Sequence, residues 1–310
     1  MDSFVNENNI DEVKCLDAPV IPSYFSDTCN LNLEQSLAIS HVNVRSLNKN
    51  FEEFKLLYED LLTEKFKIIG VSETWNMTNS NMFNLNFYAL EFNCREIGRG
   101  GGVAAYIHSS VKYKILSFRV LHTESLCLQI FDKKYSYIIG IMYRKPNTSI
   151  TEFENSLLEV LDSIKLDKTH CILIGDLNMD FSKQDSVEQF YTKLLCLDLK
   201  QLILTPTRIT NTSKTTIDHI YTNINHCSVC SGTIVGDISD HLPVFAIFEN
   251  IYTNSSMSQT DTVSYRSYKN FSLDKFRQDL SIQPWNEVYM HTDDANEAYN
   301  SFCLNFYRML

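Results

Sequence analysis

Six places in this chain set ionisable or hydrogen-bonding side chains at the ends of apolar runs or inside one. Asn43 sits in Val42-Asn43-Val44, Glu73 in Ser72-Glu73-Thr74, and Tyr143 opens Tyr143-Arg144-Lys145-Pro146. Asp176 and Asn178 share Gly175-Asp176-Leu177-Asn178, Asp240 and His241 precede the run from Leu242, and Asp218 lies inside Ile217-Asp218-His219-Ile220. Carboxylates suit a hard cation, an Asn can orient a group, and a Tyr and a His can meet phosphate oxygens. Together they are the parts of metal-assisted phosphoryl transfer. An Asp between apolar strand neighbours needs a partner if it is buried, and a histidine would serve.

Each part alone has a plainer reading. Gly175-Asp176 reads equally well as a turn after a strand. Glu73 alone is a surface acid, Asn43 a loop residue bonded to its own backbone, Tyr143 a half-buried strand aromatic, and Ser239-Asp240-His241 a loop. The weight lies in the combination, which chance makes far less readily than any member.

The elements that must position these residues are short. Strands are predicted at Leu37 to Val44, Lys67 to Ser72, Gly102 to His108, Tyr113 to Phe118, Leu126 to Phe131, Ser136 to Tyr143, Cys171 to Gly175, Thr215 to Tyr221 and Leu242 to Phe248. Helices are predicted at Asn48 to Leu62, after a Thr151/Glu154 capping box, and at Val187 to Leu199. Hairpins alternate with helical connections, so mixed sheets packed face to face with helices outside are expected, rather than a doubly wound parallel sheet. Residues 1–36 read as a flexible leader, 37–249 as the domain, and 250–310 as a polar linker with two helical patterns, Phe271 to Leu280 and Asp294 to Leu310. The second stops in mid-phase, as in the front part of something longer or its relic.

The order Asn43, Glu73, Tyr143, Asp176 with Asn178, Asp218, Asp240 with His241 resembles the endonuclease/exonuclease/phosphatase superfamily motif by motif over residues 37–248. His41-Val42-Asn43-Val44-Arg45-Ser46-Leu47, Ser72-Glu73-Thr74-Trp75, Arg99-Gly100-Gly101-Gly102-Val103, Tyr143-Arg144-Lys145-Pro146, Pro206-Thr207-Arg208 and Ile217-Asp218-His219-Ile220 resemble in particular the endonuclease domains of LINE-type (non-LTR) retrotransposons.

That resemblance implies an α+β fold, a DNase I-like four-layer α/β sandwich of two packed mixed β-sheets flanked by helices. It implies Mg²⁺, with Mn²⁺ as a substitute, held chiefly by Glu73, with Asn43 and Asp240 close to the metal or its water. Asp176 would activate the attacking water and Asn178 hold that water or the phosphate. His241 would bond a non-bridging oxygen, Asp218 would fix its tautomer, and Tyr143 would steady the phosphate or the leaving oxygen. The implied product is a DNA nick with a 3′-hydroxyl and a 5′-phosphate; related longer proteins add a reverse transcriptase domain.

Arg45 stands where apurinic/apyrimidinic endonucleases carry an Asp. Arg cannot ligate Mg²⁺, so abasic-site repair is disfavoured; a phosphate contact and a pairing with a nearby acid stay open. Arg99, Thr207 and Arg208 are further candidate DNA or phosphate contacts. A phosphatase or phosphodiesterase acting on inositol phosphates or lipid head groups, and a non-catalytic relic, are the alternatives. The filled catalytic positions favour retained chemistry.

The net charge of −11 runs against nucleic acid binding, but the first 36 residues hold seven acids and one base, and the middle of the chain is nearly balanced. No apolar run nears the roughly 18 residues of a membrane helix, and the acidic start lacks a signal-peptide layout. An intracellular protein without a membrane partner is expected. It would act in the nucleus, although no localisation signal is visible. Nine scattered cysteines fit reduced thiols, and Cys227 and Cys230 read as an incidental loop pair. The Gly98 to Gly102 run precedes a strand, which favours a hairpin over a phosphate cradle.

Overall fold

All seven residues of Leu37–Asn43 are buried. The reason is alternation: Leu37 and Ile39 point into one apolar cluster while Ala38 and Val42 point into another, so the strand is covered on both faces. The computed structural model describes residues 13–29, 36–77, 79–94, 100–131, 136–166, 169–249, 251, 272–290 and 294–307.

The strands in chain order are β1 (Val13–Cys15), β2 (Leu37–Asn43), β3 (Ile68–Ser72), β4 (Tyr88–Asn93), β5 (Val103–His108), β6 (Lys112–Leu116), β7 (Thr123–Phe131) and β8 (Ser136–Arg144). They continue as β9 (His170–Asp176), β10 (Lys200–Gln201), β11 (Arg208–Ile209), β12 (Lys214–Thr215), β13 (Asp218–Thr222), β14 (Val229–Thr233) and β15 (Val244–Phe248). The helices are α1 (Phe25–Cys29), α2 (Leu47–Lys55), α3 (Ile150–Ser163), α4 (Gln184–Cys196), α5 (Leu273–Ser281), α6 (Asn286–Tyr289) and α7 (Ala295–Tyr307).

One sheet has seven strands in the order β1-β14-β15-β2-β3-β5-β4, a second has six in the order β10-β13-β9-β8-β7-β6, and β11-β12 form a small ribbon. Both large sheets are mixed: β1/β14, β2/β3 and β8/β9 run parallel, the other pairs antiparallel. Ile39, Ile68 and Ala105 of the first sheet meet Ile139, Ile141 and Ile174 of the second between the layers. Phe54 and Tyr58 cover the outer face of the first, and Phe153, Leu157 and Phe190 of α3 and α4 the outer face of the second. The result is the expected four-layer, DNase I-like sandwich.

Several details depart from the sequence reading. Residues 13–29, assigned to a flexible leader, are packed: β1 pairs with β14, and Phe25 sits edge-on against Phe66 and Phe245 at 5.3 and 5.0 Å. The predicted strand at Thr215 to Tyr221 is two pieces, because the Ile217 and Asp218 N–H groups turn to Thr207 Oγ1, each at 3.1 Å. The cap of α3 is Ser149, whose Oγ accepts from Glu152 N–H, not Thr151; Glu154 is buried against Lys193. Strands β4 and β14 went unpredicted. Cys230 lies on β14 in the outer cluster, whereas Cys227, in the loop before it, packs in the inter-sheet cluster, so only one of the two is a loop residue.

The chain divides into two compact units, Met1–Ser255 and Ser256–Leu310. In the second, Trp285 stacks on Phe302 of α7 at 5.7 Å. Of the expected linker at 251–265, only Ile251 is described. Among the described residues no helix is long and apolar enough to cross a membrane.

Candidate active site

Strand direction gathers the polar strand ends at one edge. β2, β3, β8 and β9 finish there, bringing Asn43, Glu73, Tyr143 and Asp176; β13 and β15 run the other way and begin there. Register completes the arrangement, pairing Asp218 with Asp176, Tyr143 with Asp176, and Val244 with His41.

Asn43 is the hub. Its Nδ2 donates to Glu73 Oε1 at 2.9 Å and to Asp176 Oδ2 at 2.8 Å, and its Oδ1 accepts from Arg45 N–H at 3.0 Å. All three bonds agree on which end of the amide is nitrogen. Ser239 Oγ donates to the Asn43 carbonyl at 2.6 Å and receives His241 N–H at 3.1 Å, tying the β15 loop to β2. Glu73 follows β3 at φ 52°, and its Oε2 accepts from Trp75 Nε1 at 3.2 Å. The glycine run braces this loop, with Trp75 N–H donating to Gly101 O at 2.8 Å; at Gly102, φ 86°, a Cβ would lie 2.4 Å from Thr74 Oγ1.

Asp176 ends β9 and is buried. Burial, then the charge of Asp218, pushes its carboxyl up to about 7, while His241 and the bonds from Asn178 and Asn43 oppose the rise. Asn178 N–H donates to Asp176 Oδ1 at 2.9 Å, and Asn178 Nδ2 donates to the Arg144 carbonyl at 2.8 Å, so this Asn orients the carboxylate and fixes the loop. The buried Arg144 returns the favour, donating to the carbonyls of Leu177 at 3.0 Å and Thr148 at 2.6 Å over the Phe153 ring. Tyr143, one residue earlier on β8, is 5% exposed beside Asp176.

Asp218 Oδ2 accepts from His241 Nδ1 at 2.8 Å and from Thr207 Oγ1 at 2.8 Å. Although burial opposes charge on both partners, their attraction holds Asp218 below the usual carboxylate range and raises His241 to about 9. The pair therefore favours the imidazolium–carboxylate form, with Nδ1 of His241 facing Asp218.

Two expectations change. Thr207, offered as a DNA contact, is fully buried and belongs to the Asp218 hydrogen-bond shell. Asp240, offered near the metal, has Oδ1 on Arg45 Nη1 and Oδ2 on Arg208 Nε, both at 2.8 Å, and these two guanidiniums take it down to about 2 against the effect of burial. Arg45 thus pairs with a nearby acid, the second of its two readings. Arg99 lies outside the described residues.

Glu73 and Asp176 approach one another through a shared Asn43 N–H pair, and the ligand atoms of Asp176, Asp218 and His241 lie within 4.8 Å of one another. Carboxylate oxygens of Glu73, Asp176 and Asp218 brought to one strand edge, beside a single imidazole, fit a hard divalent cation. Sequence reasoning assigned no role to His41, Trp75, Arg144, Thr207 as a buried partner, or Ser239; of these only Arg144, a charge ending an apolar strand, left a visible signal.

The profile of the Endonuclease/Exonuclease/phosphatase family matches residues 28–241. A comparison with curated protein sequences finds no match. Among solved structures, the endonuclease domain of TRAS1, a telomere-specific non-LTR retrotransposon, superposes with TM-score 0.54 at 13% identity, covering 70% of this chain and 99% of that one. The human Nocturnin catalytic domain with bound sulfate gives 0.52 at 16%, covering 70% and 94%. D. rerio TDP2 complexed with a single-strand DNA product gives 0.51 at 15%, covering 69% and 99%. At such identities the likeness is one of fold.

Proposed function

We propose, for a chain that belongs to the endonuclease/exonuclease/phosphatase family, that it nicks DNA by hydrolysing a phosphodiester bond with a divalent cation, leaving a 3′-hydroxyl and a 5′-phosphate, as a retroelement endonuclease would. The observation that carries the reading is geometric: the ligand atoms of Asp176, Asp218 and His241 lie within 4.8 Å of one another at one strand edge, with Asn43 joining Asp176 to Glu73 and Asp218 holding His241. Burial raises Asp176, while Asp218, against burial, raises His241. Those two are a proton acceptor and a proton-bearing donor set by opposite environments.

Glu73 would hold the cation, with Asn43 and Asp176 facing the same space. Bound there, Mg²⁺ supplies charge neutralisation at the phosphate and lowers the pKa of water. Asp176, steadied by Asn43 and Asn178, accepts the proton of the attacking water. His241 has Nδ1 committed to Asp218, which leaves Nε2–H to donate to a non-bridging phosphate oxygen as charge builds. Tyr143 lies beside Asp176 to steady the phosphate or the departing oxygen. Arg45 and Arg208, sharing one Asp240, leave one positive charge in excess at the rim, which suits a backbone phosphate. DNA as substrate draws support from the TRAS1 and TDP2 likenesses, and a nuclear site of action is part of the same proposal, since that substrate implies it.

The test is conversion of supercoiled plasmid to open circles in Mg²⁺ beside an Asp176→Ala control. Wild type is expected to nick, and the variant to lose about 10²- to 10⁴-fold, the usual span for a general base. Intact plasmid together with hydrolysis of a phosphoinositide would replace this reading by the lipid head-group one.

A further inference from the structure

His41 is completely buried on β2, two residues before Asn43, and neither of its ring nitrogens has a hydrogen-bond partner. A polar ring in such a position costs free energy unless something answers it. The group nearest to answering is Asp218: His41 Nδ1 lies 3.7 Å from Asp218 Oδ1. That oxygen is itself without a partner, whereas Oδ2 of the same carboxylate already takes both Thr207 and His241. Two unanswered buried atoms, a possible donor and an acceptor, thus face one another across the two sheets, behind the site.

We propose that His41 is a positioning residue for the Asp218–His241 pair, donating from Nδ1 to the carboxylate oxygen that Thr207 and His241 leave free. Burial disfavours the charged ring, so it carries one N–H, and among the described residues Nδ1 is the nitrogen that faces an open acceptor, Asp218 Oδ1. At 3.7 Å the contact is not yet a hydrogen bond; a shift of under about 1 Å makes it one, and hydrogen bonds at catalytic sites commonly tighten only when substrate is in place. With both oxygens held, the carboxylate cannot rotate, and Oδ2 stays on His241 Nδ1 while Nε2 keeps its direction toward the phosphate. This deepens the proposed function and rests on it only for the kinetic part of the test.

The experiment labels histidine with ¹⁵N and reads the His41 tautomer from long-range ¹H–¹⁵N correlations in the whole protein. The expected result is the Nδ1–H form; the Nε2–H form overturns the proposal, whether or not the protein nicks DNA. In nicking kinetics His41→Leu, which fills the volume without a donor, is expected to lower kcat by about 10-fold or more with KM changed less than twofold, the scale of lost outer-shell partners. His41→Asn, which keeps an N–H near the Nδ1 place, is expected to recover most of that loss at matched thermal stability. Equal losses in both variants would overturn the positioning role.

Discussion

At the scale of single residues, the Asp218–His241 pair couples the site to the fold through pH. Folding raises His241 from its ordinary 6.5 to about 9, so the imidazolium stabilises the native state fully below 6.5, and that contribution fades as pH rises through about 9. Asp218 moves the other way, below its ordinary 3.8, so its share is present above 3.8 and is lost only in stronger acid. Between those limits the pair stabilises the metal-free protein. Thermal melts at a series of pH values should therefore show a decline on the alkaline side, on the order of 2 kcal/mol between pH of about 6.5 and 9.5. Asp218→Asn keeps the shape but removes the charge that holds the proton on His241, so the alkaline decline should flatten; an unchanged slope would show that the ion pair does not exist in solution.

At the scale of elements, Gly175 shows how a strand end can be built around a missing side chain. β8 and β9 run parallel with Met142 opposite Gly175, and Gly175 sits at φ 154°. A Cβ there would fall 1.8 Å from the Met142 carbonyl oxygen, a backbone atom that cannot step aside. Gly175→Ala should thus pry the end of β9 from β8, costing more than about 3 kcal/mol in urea unfolding and displacing Asp176 from Tyr143. Gly140→Ala, whose Cβ would meet the mobile end of Leu173 at 2.9 Å, is the milder companion; equal costs would refute the steric account. This same strand was legible in the sequence because an apolar run ends abruptly in Asp176; β2 and β3 were legible for that reason too, and β15 because Asp240 and His241 directly precede its apolar run. Strand β4, half exposed, and β14, buried but built of Val229, Cys230, Ser231, Gly232 and Thr233, carry no such run. In the site, Asn43, Glu73 and His241 stood out as polar residues at the ends of apolar strands, and Asp218 as a charge inside one. The Arg45–Asp240–Arg208 clamp did not, because its members lie on three segments joined only by tertiary folding.

At the scale of the whole molecule, the segment before the first catalytic strand behaves as part of the sandwich. The family profile begins at residue 28, yet the packing begins earlier. Leu16 N–H donates to Ser231 O at 2.9 Å, Val20 N–H to Thr233 O at 2.8 Å, and Val235 N–H returns to Val20 O at 2.9 Å, which covers the edge of β14. An uncovered edge offers unpaired N–H and C=O groups to other chains. Phe25, 1% exposed, closes over Phe66 and Phe245 on the outer face. Truncating one such ring costs about 3 to 5 kcal/mol in well-packed cores, so Phe25→Ala alone should shift the urea midpoint clearly. A chain starting at Leu37 loses this ring and the strand pairing together; it should unfold at lower urea still and aggregate at concentrations where the full chain stays monodisperse in light scattering. Because none of residues 13–29 carries a catalytic group, whatever truncated protein remains folded should keep its kcat for nicking. A shortened chain with the full chain's midpoint would mean that the N-terminal segment lies on the sandwich without supporting it.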